Sequence, residues 1–584
     1  MRFTIVLARK VVEAPCRRPF TLNTIAPVDP RESVDGFEVD WPDFAAMFLA
    51  RRDSESIFLI ELDHERKTRQ QWTVAEWQRV VVATADWLAD NGVRSGRSVA
   101  AMLGNRAEAL AVAYACWMLQ ACYVPLNPAD SVERLQYILA DADAELFIHT
   151  ASALPPVDAF QPLGVRTVAD DQLPMAPDEA VPTTRWSPNR ESGNSTLDAP
   201  ALRVYTSGTT GAPKGVALTV GNLLTDCDGL IDRLQWPPDT RVLTVLPVHH
   251  VNGLVISSLL PWVAGFSTVL CDRFRSDMFW TDATSEGATV CSVVPSLLEF
   301  LLKDSDSEQG ILREILCGAG PLLVDTALRF ESRYGVPVRH LYGLSETTAV
   351  VALMPRMADE ERRSWHADHG WPSVGPALPH AQVSVLDADG NEVAEGVRGE
   401  LAIRGAVVMK GYVGLEAETE RSLRNGWFHS GDEGFWVASG EQRYFFITGR
   451  IKELIVRGGI NISPIEIDTV LCSHPAVDFG LALPFENRYY GEEVAAYVVT
   501  NAPVSDDDLI SYCVEHLNFA RAPKVIVRGD DVPYTTTGKA KRIELASRLA
   551  TGLSVYRNHQ FRKPPACAQT DESRHTQGGH NNDR

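Results

Sequence analysis

Apolar residues recur at helical spacing over Val74–Asn91 (VAEWQRVVVATADWLADN), which predicts an amphipathic helix. Gly92 follows directly and reads as its C-cap, because glycine enters the left-handed region at little cost. Ala107–Gln120 repeats the helical period. Between and after these helices lie short apolar runs, Ser98–Leu103 and Ala121–Pro125, which predict buried strands. The alternation resumes over 216–350, where Val242–Leu246, Ser267–Cys271, Thr289–Val294 and Ile315–Leu316 read as strands. Helices alternating with short apolar strands predict an α/β fold built on parallel sheet.

The pattern lapses or changes in four places. Residues 1–40 are rich in proline and charge and show no period, so they read as an N-terminal extension, in part disordered. Residues 151–200 carry prolines at 155, 156, 162, 174, 177, 182, 188 and 200, and read as a long connection with one short strand near Gly164–Val168. From about 370 to 448 the texture is β-rich, with turns at Asp389-Gly390-Asn391 and Asn425-Gly426; this predicts a small β-barrel-like region or separate sheet. A smaller α+β unit follows to about 550, and the polar tail ending HTQGGHNNDR is expected to be disordered. The expected organisation is an extension (1–40), a large α/β domain (41–449), a smaller α+β domain (450–550) and a tail (551–584).

Composition narrows the function. The 584 residues carry a formal charge of −21. Such an acidic surface repels nucleic acid and anionic membranes, so neither is an expected partner. A polyanionic ligand must then be held by local basic groups and a metal ion. The 10 cysteines include no CxxC pair, which fits reduced thiols in a cytoplasmic enzyme better than a disulfide scaffold or zinc site. The longest apolar runs, such as Ala107–Leu119, are too short for a membrane span and include Glu108; the six-residue run near the N-terminus is too short for a secretory leader.

Candidate chemistry begins at YTSGTTGAPKG, Tyr205–Gly215, directly after the apolar run Ala201–Val204. Gly208, Gly211 and Gly215 let the backbone close around a ligand, and successive N–H groups can form a nest for phosphate. Thr206, Ser207, Thr209 and Thr210 add hydroxyls, and Lys214 adds a point charge. A mobile surface loop is the bland alternative. A Walker A loop is excluded, since Pro213 stands where its second glycine belongs and Gly215 follows the lysine.

Five further stretches place polar residues where a fold alone would not require them: CGAGPL (317–322), YGLSETT (342–348), GWFHSGDEGF (426–435), TGRIKELIVRGGINISPIEI (448–467) and PYTTTGKAKR (533–542). Each alone is weak; Glu346 by itself reads as a helix-start charge and Lys539 as a solvated loop lysine. In this order and spacing, over Trp41–Leu549, they resemble the adenylate-forming superfamily of acyl-CoA synthetases, peptide-synthetase adenylation domains and firefly luciferase. The departures are small: Ser345 stands where threonine is commoner, and residues 1–40 and 151–200 match no family feature.

The resemblance implies a reaction and a set of roles. A carboxylate and Mg-ATP give acyl-AMP and pyrophosphate, and a thiol then takes the acyl group. Thr206, Ser207, Gly208, Thr209, Thr210, Gly211 and Lys214 would cradle the phosphates, with Thr209 also near the metal. Gly318, Ala319 and Gly320 would line the adenine slot and Tyr342 stack on the base, flanked by Gly343, Ser345 and Thr347. Glu346 would hold Mg²⁺ directly or through water, while Asp432 and Arg450 would contact the ribose. Lys539, on a smaller mobile domain, would bridge carboxylate and α-phosphate, and Lys452 would be the hinge. After rotation Gly458-Gly459 would meet the pantetheine arm. His250 would border the acyl pocket next to Val251, where amino-acid-activating members carry aspartate. A buried ammonium without a counter-charge is costly, so the expected substrate is an aliphatic or aromatic acid lacking an α-amino group. CoA is the expected acceptor; a carrier-protein phosphopantetheine, an amine, or a catalytically inactive nucleotide-binding protein are the alternatives.

Overall fold

A computed structural model describes residues 29–34, 37–151, 157–176, 196–206, 213–304, 311–369, 372–534 and 540–561. Its first sheet has eight strands. Five adjacent parallel strands make its body: Val338–Tyr342, Glu314–Cys317, Val290–Val293, Arg241–Thr244 and Ser267–Cys271. Ile57–Asp63 continues the parallel run, with antiparallel Thr68–Thr73 at one edge and Ala352–Leu353 at the other.

The second sheet has seven strands. Its parallel part is Pro200–Thr206, Cys122–Pro125, Ser98–Met102, Ala144–His149 and Arg166–Ala169. Lys214–Thr219 pairs antiparallel with Pro200–Thr206, and Gly411–Tyr412 closes that edge. Helices Val74–Asp90 and Ala107–Met118 pack together between the two sheets and belong to one shared core. Every residue of Ala107–Met118 except Glu108 is buried. A helix apolar on nearly all sides needs apolar partners on all sides, and the two sheets provide them.

The β-rich region forms a six-stranded antiparallel sheet, with Gln442–Arg450, Trp427–Ser439 and Gly399–Arg404 at its centre. Beyond it, a five-stranded sheet and helices Pro464–Cys472 and Asp506–Leu517 enclose a separate core, and helix Arg542–Leu553 packs on adjoining apolar clusters of the same sheet. Helix Arg542–Leu553 runs through the boundary at 550, with Leu553 buried against Phe485 and Phe561 packed alongside. Part of the N-terminal extension is also tied down: the Gly405 amide donates to the Pro30 carbonyl and Val34 is buried. Both segments bury side chains against partners remote in sequence, which local polarity could not show. No described helix is long and apolar enough to cross a membrane.

Candidate active site

The site assembles at the C-terminal ends of parallel strands, the usual ligand crevice of open α/β sheets. Glu314–Cys317 runs into Gly318-Ala319-Gly320, and its neighbour Val338–Tyr342 runs into Gly343. A Cβ on Gly318 would lie 2.2 Å from Leu341 Cδ1, and one on Gly343 would lie 1.9 Å from the Ala349 carbonyl oxygen. Gly318 is therefore fixed mainly by the Leu341 side chain and Gly343 by close backbone approach. Ala319 adopts φ +61°, an uncommon left-handed conformation for a residue with a Cβ.

Asp432 and Arg450 face each other as register partners of two antiparallel strands. Arg450 Nε lies 2.7 Å from Asp432 Oδ1, and Tyr342 Oη donates to Asp432 Oδ2 at 2.7 Å. The Asp432 amide donates to Ser430 Oγ, which donates to the Leu401 carbonyl. The Asp432 charge holds the Arg450 guanidinium above its ordinary pKa, and burial pushes the Tyr342 phenol well above its own. Ala319, Gly320, Tyr342, Gly343, Asp432 and Arg450 line one wall of a cavity of about 740 Å³. Tyr534, Ala540 and Arg542, from the C-terminal unit, line the same cavity. Tyr534 and Ala540 bridge each other at the base of the segment that carries Lys539. Lys539 itself lies outside the described residues.

The Gly- and Thr-rich segment 205–215 joins two antiparallel strands whose last register pair is Thr206 and Lys214. Ser207, Gly208, Thr209, Thr210 and Gly211 lie outside the described residues. Lys214 forms an ion pair with Glu418, and its Nζ sits 5.1 Å over the Tyr412 ring. Burial lowers the Lys214 pKa, and the Glu346 charge opposes that shift. Tyr412 Oη donates to Glu346 Oε1 at 3.0 Å, and the Met409 amide donates to the Glu346 carbonyl at 2.8 Å. Ser345, Glu346 and Thr347 form a single helical turn, closed where Thr347 Oγ1 accepts from the Leu344 amide. Segment 409–419 thus gathers Glu346 and Lys214. Sequence reasoning passed over Tyr412 and Glu418, and no local motif marks either.

His249, His250 and Val251 lead into a π-helix, Asn252–Leu259. The two imidazoles lie 4.6 Å apart between centroids, and burial pushes His249 down to about 3, so it is neutral at physiological pH. Asn105 fixes this loop: its Nδ2 donates to the Leu246 and Cys271 carbonyls, and its Oδ1 accepts from the Val248 amide. Asn105 was also passed over, since a lone asparagine after a strand carries no sequence signal. The histidines, Val251, Glu346 and Lys214 do not line the 740 Å³ cavity. Lys452 lies exposed in the turn Ile451–Glu453. Gly458 and Gly459, at φ +58° and +84°, form an exposed hairpin turn, and the Gly458 amide donates to the Tyr490 carbonyl.

Residues 49–413 match the AMP-binding enzyme family. The chain is 33% identical over 469 residues to sulfoacetate–CoA ligase of Cupriavidus necator, covering 78% of this chain and 88% of that one. Among solved structures it is similar to ATP-bound MatB from Rhodopseudomonas palustris, with TM-score 0.75, 27% identity, and coverage of 87% of this chain and 98% of that one. It is likewise similar to o-succinylbenzoate CoA synthetase (MenE) from Bacillus subtilis in complex with its acyl-adenylate intermediate, with TM-score 0.74, 28% identity, and coverage of 86% and 98%.

Proposed function

The chain belongs to the AMP-binding enzyme family, and from that premise we propose that it is an ATP-dependent acid–CoA ligase. A carboxylate attacks the α-phosphorus of ATP and expels pyrophosphate, giving acyl-AMP; the CoA thiol then attacks the acyl carbonyl and expels AMP. The observation that carries this reading is the Tyr342–Asp432–Arg450 cluster, set in a cavity that the base of the Lys539 segment also lines.

Tyr342 offers its ring face to adenine beside the small-residue segment Gly318-Ala319-Gly320. Asp432 accepts from the ribose hydroxyls, since each ionised carboxylate oxygen has a lone pair beyond the one used by Tyr342 or Arg450. Lys214 and the hydroxyl-rich loop hold the departing phosphates, and Lys539 offsets the charge that grows on the α-phosphoryl oxygens. Glu346 fits Mg²⁺: it is half-buried, one oxygen is oriented by Tyr412, and hard oxygen donors suit that ion. Bound there, the ion would neutralise charge on the transferring phosphates. In the described geometry the Tyr534–Ala540 base faces the cavity while Gly458-Gly459 is exposed, which supports an adenylation pose. Rotation about Lys452 would exchange the two.

The substrate is an aliphatic or aromatic acid without an α-amino group, because Val251 supplies no counter-charge for an ammonium. The reaction is placed in the cytoplasm, where ATP and CoA are available. The test is pyrophosphate release over a panel of carboxylic acids, with CoA, holo-carrier protein or an amine as acceptor. Fastest turnover with a fatty, aryl or other amine-free acid and CoA is expected. Faster ATP–pyrophosphate exchange with any proteinogenic amino acid would overturn the specificity argument, and turnover only with carrier protein or amine would overturn the acceptor.

A further inference from the structure

His64, Cys271 and Asp282 lie outside the nucleotide cavity, at the C-terminal ends of the first sheet's strands but several strands to the side of Val338–Tyr342. His64 follows strand Ile57–Asp63 directly, Cys271 ends the adjacent parallel strand Ser267–Cys271, and Leu62 and Cys271 are register partners. Asp282 comes from helix Phe279–Ser285, laid across those strand ends. Asp282 Oδ2 lies 2.8 Å from His64 Nε2 and 3.9 Å from Cys271 Sγ. One donor atom from each residue falls within 4.8 Å of the other two. Imidazole nitrogen, thiolate sulfur and carboxylate oxygen are the donor types that zinc selects, and three protein ligands leave a fourth position for water. Around a tetrahedral zinc such donors stand about 3.3–3.7 Å apart, so the imidazole and carboxylate need to part by a few tenths of an ångström.

The surroundings favour a cation held in place. The side chains of His64 and Asp282 are 14% and 9% exposed, enough for entry without full hydration. The Cys271 carbonyl is fixed by Asn105 Nδ2 at 3.1 Å, so the sulfur hangs from a tethered strand end. Cys271 and Asp282 are 11 positions apart, but His64 lies 218 positions before Asp282, so no ligand spacing in the sequence could announce the cluster.

We propose that His64, Cys271 and Asp282 bind one thiophilic divalent cation, Zn²⁺ by preference, as a structural clip joining two strand ends to a helix. The Cys271 thiol loses its proton to solvent as the metal–sulfur bond forms, so binding releases a proton and tightens as pH rises. The site is independent of the ligase reading, and its test needs no substrate.

The test is a Co²⁺ titration of the full-length protein, stripped by chelator and held in excess Mg²⁺. Expected are saturation at one equivalent, a thiolate-to-cobalt charge-transfer band, its displacement by Zn²⁺, and proton uptake by buffer on binding. Cys271→Ser should abolish the band, and His64→Gln should weaken binding at least tenfold, with each metal-free variant melting as a folded protein. Because His64 is partly exposed, its variant decides the question should Cys271→Ser fail to fold. Absence of the band in the parent protein, or a band of undiminished affinity in His64→Gln, would overturn the proposal and leave a simple His64–Asp282 pair.

Discussion

Tyr342 Oη donates to Asp432 Oδ2 at 2.7 Å, joining residues 90 positions apart, while Arg450 Nε holds the other carboxylate oxygen at 2.7 Å. Asp432 thereby orients the ring proposed to carry adenine and is itself the proposed ribose acceptor. Asp432→Ala should cost about 2–3 kcal/mol in ATP recognition, roughly 30- to 150-fold in kcat/KM for ATP. Tyr342→Phe keeps the ring and removes one hydrogen bond, so its loss should stay under roughly tenfold. Steady-state kinetics at saturating acid and CoA checks both; unchanged ATP kinetics in Asp432→Ala would place the ribose elsewhere.

Tyr412 links two charges proposed to act on the phosphates: its hydroxyl holds Glu346 and its ring lies under Lys214. Tyr412→Phe should leave the ring contact and free the carboxylate. We expect kcat to fall by roughly 10- to 150-fold, about 1.5–3 kcal/mol for one hydrogen bond to a charged group, with a raised Mg²⁺ requirement. A full Mg²⁺ titration of activity checks this, and identical curves for the two proteins would contradict the orienting role.

Much of the fold was legible because its signals are local. Ser267–Cys271 forms the strand its apolar run predicts, and Gly92 takes φ +89° just past the helix that ends at Asp90. Asn425 and Gly426 both adopt positive φ, the demand of a two-residue hairpin turn. Tyr342, Asp432 and Arg450 were legible through motifs, although their mutual hydrogen bonds were not. What escaped depends on distant partners. Tyr412 meets Glu346 across 66 residues and Glu418 meets Lys214 across 204, and each looks ordinary in its own segment. The π-helix after His250 and the packing of Leu553 and Phe561 likewise answer to tertiary contacts, which period and composition do not encode.

Asp226 is buried beneath the run that follows Tyr342; its Oδ1 accepts from the Val350 amide, and burial pushes its pKa up to about 8. A carboxyl raised in the folded state binds more protons there than when unfolded. Its contribution to stability is therefore full below about pH 4 and lost as pH rises toward about 8. Asp226→Asn can keep the amide hydrogen bond without the charge. Denaturant midpoints between pH 5 and pH 9 should fall less steeply in the variant; equal slopes would show that Asp226 does not titrate in this window.

The central claim is a two-step reaction in which Lys539 serves the first step alone. Single-turnover kinetics of the separate half-reactions, with the acid identified by the screen, tests it most directly. In Lys539→Ala, acyl-AMP formation should fall by on the order of 10²–10³, as loss of one oriented charge does. Lys539→Arg should restore it only in part, because a planar guanidinium does not replace a compact ammonium. The same Lys539→Ala protein, given pre-formed acyl-AMP and CoA, should make thioester within a few-fold of the parent rate. Equal losses in both halves would contradict rotation about Lys452, and no loss in either would remove Lys539 from the chemistry.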